Sequence, residues 1–575
     1  MRTITRRTPF SSTIAVPEAR AVIEKIAPSV FGAPVLQNLS DFPTGPLLGI
    51  VLGAEDPRTL QIMSELASFE DVTERPDPGT RAVLSDDYEA VDIARGSAAV
   101  SQIASSAPGA VELVFDGPSH GNPFLDVDLV AVFTRGGETA TVGGFYDGDG
   151  AYRVRFLPGS AGKWTFATRS NARSLDGVTG SVTAEAGADR GPVRVEGQRF
   201  VYSDDTPFTP IGTTAYVWTL QEEELQERTL ASLARSPFNK VRMGLFPKDF
   251  LYNSNEPERY PFERTDDGWD AEHFDVAYFR HLEGRIAQLA ELGIEADVIL
   301  FHPYDRWGFA KMGHVVDDRY VSYVVRRLAA FRNVWWSLAN EYDLLTTKGD
   351  DDWHRIGELV AREDHVGHPL SIHNWVDIFD YEASWATHTS IQGGGNRMGE
   401  LVAQWRGKWN KPVVVDEFGY EGDLDQGWGN LTAEEVVRRF WEGTIAGGYL
   451  THGETFYSED EIIFWAKGGE LRGESLPRLE FLRDIVEASP TGSIAPLTGD
   501  WDAPWAGVPG KYILISFGGS RPLFREVPVP EGMTATIDVI DAWNMTIERI
   551  PGRHTGLVRV PLPARPHTLI RLMRA

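Results

Sequence analysis

The 575-residue sequence contains no cysteine. That absence excludes disulfides, thiolate metal sites and a cysteine nucleophile, and it leaves the redox compartment open. No apolar run reaches membrane-spanning length, and the basic start MRTITRRTPF is not followed by the apolar stretch of a secretion signal. A cytoplasmic protein without membrane attachment is therefore expected. Positive charge is scarce: 55 Lys and Arg stand against 83 Asp and Glu, a net charge of −28. Such a surface repels phosphate and argues against a nucleic-acid partner, so a neutral substrate is favoured. No HExxH or EF-hand pattern occurs, and the acidic clusters at 265–275, 349–352 and 421–425 read as solvated loops. Neither a metal nor a cofactor is expected. The stretch GSAGKW at 159–164 has Leu157 where a phosphate loop needs glycine and Trp164 where it needs Ser or Thr, which removes a nucleotide site.

What is present is a large enzyme-like composition. Hydrophobic residues make up 42% and charged residues 24%, ordinary globular values, while 17 Trp and 17 Tyr are enough to furnish a cleft with rings that stack on sugar faces. The length exceeds what one core supports and implies about three or four domains. Residues 1–75 carry helical periodicity, with Ala19, Val22, Ile23 and Ile26 in one stretch and Leu60, Ile62, Met63 and Leu66 in another. Residues 76–109 are rich in Pro, Asp, Ser and Ala and read as a linker or wrapping arm. From Val111 the period changes to two, and residues 110–190 predict an Ig-like antiparallel β-sandwich with a hairpin turn at Gly148-Asp149-Gly150. Residues 493–575 predict a second β-sandwich.

Between these, residues 198–492 alternate strand-like and helix-like stretches, the pattern of a parallel α/β architecture. Eight strand candidates can be counted: PFTPIGTT, NKVRMGLF, IEADVILF, NVWWSLAN, PLSIHN, WATHTSIQ, PVVVDEFG and GYLTHGETF. Helical stretches lie between them; in one, Phe279, Leu282, Ile286 and Leu289 share a face and Gly293 stands at the C-cap. Eight βα units over this length predict a TIM barrel. The fourth strand runs into Asn340-Glu341 and the seventh into Glu417. In a barrel both ends lie on the C-terminal face, where catalytic residues gather, and a pair of carboxylates across that mouth suits glycosidic bond cleavage.

On these residues the chain resembles the clan of retaining glycoside hydrolases whose acid/base follows an Asn at the end of strand four and whose nucleophile is a Glu ending strand seven. The order of β-sandwich, barrel and β-sandwich resembles an apiosidase-like branch of that clan over about 110–575, leaving residues 1–75 without an assigned role. The resemblance implies Glu341 as acid/base, Glu417 as nucleophile, Arg242 as the cation that keeps the nucleophile ionised, and Asn340 as donor to the hydroxyl beside the anomeric carbon. It also implies sugar-binding polar groups at His302 and His388; the latter stands where many members have a Tyr against the nucleophile, leaving open which side chain orients Glu417. Trp465 is the candidate sugar platform, with Trp307 and Tyr216 behind it. Glu454 is a hydroxyl ligand, or the nucleophile if the strand count slips by one. Asp416, Asp343 and Glu421 are rival carboxylates.

The expected activity is cofactor-independent hydrolysis of a small glycoside or oligosaccharide by double displacement, exo-acting if the long loop 250–270 closes a pocket. A transglycosylase would share every one of these residues, a non-catalytic carbohydrate-binding protein would not need the carboxylate pair, and a metal-dependent hydrolase would be sensitive to chelator. Homo-oligomerisation is left open.

Overall fold

The computed structural model describes residues 2–33, 42–53, 56–102, 110–184, 190–250, 253–266, 268–453, 455–456 and 466–575. Its centre is an eight-stranded parallel barrel: β1 (Ile211–Thr214), β2 (Lys240–Gly244), β3 (Glu295–Phe301), β4 (Val334–Ala339), β5 (Leu370–Ser371), β6 (Thr389–Gln392), β7 (Val413–Glu417) and β8 (Gly448–His452). Consecutive strands are neighbours, and β8 returns to pair with β1. The seam between the short β5 and β6 is closed by a parallel bridge from His373 to Ser390. All eight strands expected from the sequence are present, so Glu341 and Glu417 follow or end strands four and seven.

The strands are buried along nearly their whole length because helices cover the outer face, as in other parallel sheets. The helix Val276–Glu291 shows why: Phe279, Leu282, Ile286 and Leu289 are all at most 2% exposed, Asp275 caps its first turn, and Gly293 leaves it with φ +72°. One unit departs from the expected eight βα repeats. Seven strands are followed by a long helix, whereas the connection from β5 to β6 has none. There the Asp343 carboxylate accepts the N–H groups of Trp375, Val376 and Asp377, turning the chain just after β5. The Tyr381 hydroxyl then ties the loop to the Ile372 and Ser390 carbonyls.

The N-terminal end of the barrel is plugged by three short strands, Val193–Glu196, Arg199–Tyr202 and Pro207–Phe208, whose Phe200 and Phe208 pack on Trp335 and Val414. Two four-stranded antiparallel sheets lie before it and share a core that includes Leu113, Phe133, Val154 and Phe166. The Gly148-Asp149-Gly150 turn has φ of +85°, +51° and +77°, the left-handed backbone that glycine tolerates. One outer strand, Ala98–Gln102, lies in the stretch read as linker; it pairs with Val111–Asp116 but is mostly exposed, so it lacks the alternation by which a half-buried strand is recognised. After the barrel comes a six-stranded antiparallel sheet with a separate two-stranded ribbon over a core of Ile513, Ile537, Val560 and Ile570.

Among the described residues the N-terminal region has four short α-helices, Phe10–Ala15, Pro17–Ile26, Thr44–Leu52 and Pro57–Leu66, around a core of Phe10, Ile23, Leu47, Leu48 and Ile62. Proline opens the second and fourth helices, where its missing N–H costs nothing. Residues 71–96 follow without helix or strand along the barrel, with Arg75 donating to the Thr347 carbonyl at 2.8 Å and the Val315 N–H donating to the Pro78 carbonyl at 2.9 Å.

Candidate active site

A cavity of about 580 Å³ opens at the C-terminal face of the barrel, with Glu341, Glu417, Asn340 and Tyr216 in its wall. Glu341 follows β4 with φ +50°, a left-handed conformation unusual for a side-chain-bearing residue and typical of places where function holds strain. Its carboxylate accepts from the Tyr304 hydroxyl. Burial and the negative charge of Glu417 raise its carboxyl to about 8, against the Tyr304 bond and the Lys248 ammonium, which act in the opposite direction.

Glu417 lies in a different environment. Burial would raise its carboxyl too, but the His373 ring at 3.6 Å, the Arg242 guanidinium at 3.5 Å and the Tyr216 hydroxyl hold it down at about 2. Arg242 is fully buried; it donates to the Tyr216 hydroxyl at 3.4 Å and to Asn340 Oδ1 at 3.3 Å. The result is one carboxyl kept neutral and one kept ionised in a single cavity.

Gln392, ending β6, connects the two. With its amide turned so that nitrogen rather than oxygen faces the carboxylates, Nε2 donates to Glu417 Oε2 and Glu341 Oε1, each at 3.2 Å. These two oxygens are therefore separated by no more than twice that distance. β6 and β7 pair with a bulge that sets Gln392 opposite Glu417 and leaves Asp416 as the extra residue. The bulge turns two consecutive carboxylates inward at different depths: Glu417 faces the mouth, while Asp416 lies beneath it against Lys240, Ser390 and Thr451.

The residues read from sequence thus divide. Glu341, Glu417, Asn340, Arg242 and Tyr216 come together. His302 is turned under the cleft, its Nε2 donating to the Phe246 carbonyl at 3.1 Å, and burial lowers it to about 4. His388 is a correction: β6 begins only at Thr389, so His388 lies at the opposite end of the barrel, packed against Phe200 and Trp335. Trp307 also belongs elsewhere than under a sugar, half-buried on the rim with Nε1 donating to Glu256 at 3.0 Å. Glu454 and Trp465 lie outside the described residues. Of the rivals, Asp343 is engaged by three backbone N–H groups and Glu421 by the N–H groups of Glu474 and Ser475. Sequence reasoning missed His373, Gln392, Tyr304 and Lys248, as well as the rings of Phe42, Trp375 and Trp428 in the cavity wall. Gln392 ends β6 and His373 lies two residues past β5, so both could have been found by reading every strand end as Glu341 and Glu417 were read. Phe42 carried no such signal. Among the described residues no group of His, Asp and Glu could hold a metal ion, and no helix is long and apolar enough to cross a membrane.

Comparison with known proteins places this geometry. The profile of the apiosidase-like catalytic domain matches residues 195–486. A crystal structure of a candidate glycoside hydrolase from Bacteroides vulgatus is 39% identical with a TM-score of 0.77, covering 82% of this chain and 99% of its own. This chain belongs to the apiosidase-like family. As an apiosidase-like enzyme it is a glycoside hydrolase, the class expected from the two strand-end glutamates. Two domains of unknown function flank the apiosidase-like domain, DUF5060 over 109–171 and DUF5605 over 501–573. A family 5 glycoside hydrolase from Bacteroides vulgatus, 16% identical with a TM-score of 0.53 over 67% of this chain and 94% of its own, shares the fold. Comparison with curated proteins finds no match.

Proposed function

We propose that this apiosidase-like protein is a retaining, exo-acting glycosidase in which Glu341 is the acid/base and Glu417 the nucleophile. The observation that carries this reading is the Gln392 amide 3.2 Å from an oxygen of each glutamate, combined with their opposed protonation. Carboxyls about 5–5.5 Å apart suit direct attack on the anomeric carbon, whereas an inverting enzyme leaves about 6.5–9.5 Å for a water. In the first step the Glu417 carboxylate forms a bond to the anomeric carbon as Glu341 gives its proton to the leaving oxygen, breaking the glycosidic bond. Attack consumes the Glu417 charge, and with it one of the causes that hold the Glu341 proton. Glu341 becomes the stronger acid at the moment it must act as a base, taking a proton from the water that cleaves the glycosyl-enzyme. Asn340, fixed by Arg242, is placed to donate to the adjacent sugar hydroxyl as the oxocarbenium character grows. Exo-action on a small glycoside or oligosaccharide is supported by the loop after β2, which brings Lys248 and Phe250 into the cavity wall.

The test is hydrolysis of aryl pyranosides and furanosides by wild type, Glu341→Ala and Glu417→Ala, with azide added to each variant. A retaining pair gives a glycosyl azide of retained configuration from Glu341→Ala and of inverted configuration from Glu417→Ala. Wild-type rates in either variant, or an initial product of inverted configuration from the wild type, would remove the reading.

A further inference from the structure

The helices at the start of the chain precede every region matched by a family profile, the first of which begins at residue 109. Yet Phe42, two residues before the third of them, stands in the wall of the active-site cavity beside Leu344 and Trp375. We propose that this N-terminal module completes the substrate cleft of the proposed glycosidase, with Phe42 and Trp375 forming an aromatic wall for the leaving group.

The placement follows from how the module is held. Arg7 donates to the carbonyls of Lys348 at 2.6 Å and Tyr342 at 3.4 Å, lies 5.0 Å over the Tyr342 ring and pairs with Asp350. It thus grips the segment that begins with Glu341. Arg6 pairs with Asp377 at 3.0 Å, on the helix-free connection after β5. That connection is fastened to the same segment, since the Trp375 N–H donates to Asp343 at 2.6 Å. Inside the module the stretch 42–45 is tied to 6–10 by the Phe10 N–H on the Phe42 carbonyl at 2.9 Å, the Thr44 N–H on the Thr8 carbonyl at 2.9 Å and the Gly45 N–H on the Arg6 carbonyl at 2.8 Å. A side chain at Gly45 would approach Arg6 Cβ to 2.8 Å, so this position needs glycine for the two strands of chain to meet. The arginines that dock the module therefore also fix where Phe42 projects, and its ring meets Trp375 edge-on at 5.4 Å.

Two aromatic rings side by side in the cavity wall make a surface that accepts the apolar face of a sugar or an aryl group. The side of the site is set by chemistry. Glu341 delivers its proton to the leaving oxygen, and Leu344, Trp375 and Phe42 belong to the segment that carries Glu341 or are fastened to it, so what rests on this wall is the departing group. The module then selects among leaving groups and leaves the choice of glycone to the barrel.

The experiment compares wild type, Phe42→Ala and Phe42→Tyr on the preferred glycone in two forms: a glycosyl fluoride, whose leaving group is too small to reach the wall, and an aryl glycoside or disaccharide. Phe42→Ala is expected to lower kcat/KM by about tenfold on the large leaving group, the order of loss for truncating a buried aromatic contact, and to leave the fluoride within about twofold. Phe42→Tyr should restore the large-group rate. Equal losses on both substrates, or no loss on either, would overturn the assignment. Glu417→Gln is run alongside: turnover retained there removes the glycosidase reading whatever Phe42 does, and turnover abolished there with no selectivity at Phe42 removes only the wall.

Discussion

Two clusters of buried carboxylates occupy the same barrel, one residue apart on β7, and they have opposite characters. In the floor, Asp416 and Asp297 share the Lys240 ammonium at 2.9 and 2.7 Å, Asp416 also accepts from Ser390 and Thr451 hydroxyls, and Arg242 lies above. Burial acts to raise Asp416, but Lys240 and Arg242 overcome it and hold the carboxyl well below the usual range. At the mouth, Glu417 receives similar compensation, while Glu341 receives a phenol, an amide and a negative neighbour. A carboxylate with matched cations is architecture. A carboxyl whose nearby cation does not offset its burial and an ionised neighbour retains its proton and has chemistry to perform.

Substitutions at adjacent positions test that contrast most severely. Glu417→Gln should reduce kcat/KM on the order of 10⁴-fold while leaving the urea unfolding midpoint near that of wild type. Asp416→Asn should act chiefly on the fold, leaving Lys240 undercompensated at a cost of about 3–5 kcal/mol, read as a lower unfolding midpoint. If Asp416→Asn is as stable as wild type, the floor is not the structural cluster described above. Next in size is the pH dependence. Glu341, raised to about 8, holds its proton below that pH, and Glu417, lowered to about 2, is ionised above that pH. The kcat/KM profile should therefore be level through neutrality and fall as pH rises through about 8; a fall centred at the ordinary carboxyl pKa would contradict the geometry. A smaller effect concerns the coupling itself: Glu417→Gln removes a negative neighbour, so the Glu341 carboxyl should titrate lower, followed by its infrared C=O stretch. The smallest is Tyr304→Phe, which deletes a donor to the ionised form of Glu341 and should move the alkaline limb upward.

Much of the barrel was legible because its strands are continuous apolar runs between amphipathic helices, a pattern that needs no tertiary information. The floor was less so. Lys240 reads as an ordinary charge and Asp416 as a rival to Glu417, and only barrel closure shows that they meet 2.9 Å apart. His388 was misplaced because WATHTSIQ has the composition of a strand throughout, whereas pairing begins at Thr389. A shift of a few residues along a barrel strand moves a side chain from mouth to floor. Gln392 is visible as a strand end, but its contact with both glutamates depends on the bulge opposite Glu417, and bulges leave no mark in apolar periodicity.

The sequence by itself determined the eight-stranded order, the strand ranks of Glu341 and Glu417 and the absence of any thiol chemistry, because each follows from local pattern or composition. Tertiary structure alone decided which carboxyl retains a proton and which is ionised, since that depends on distances between residues at the ends of β1 to β7. It also decided that Phe42, some 300 positions before Glu341 in the chain, shares a cavity with it. No periodicity encodes such a meeting; it arises from the ion pairs and backbone hydrogen bonds that dock one folded unit on another.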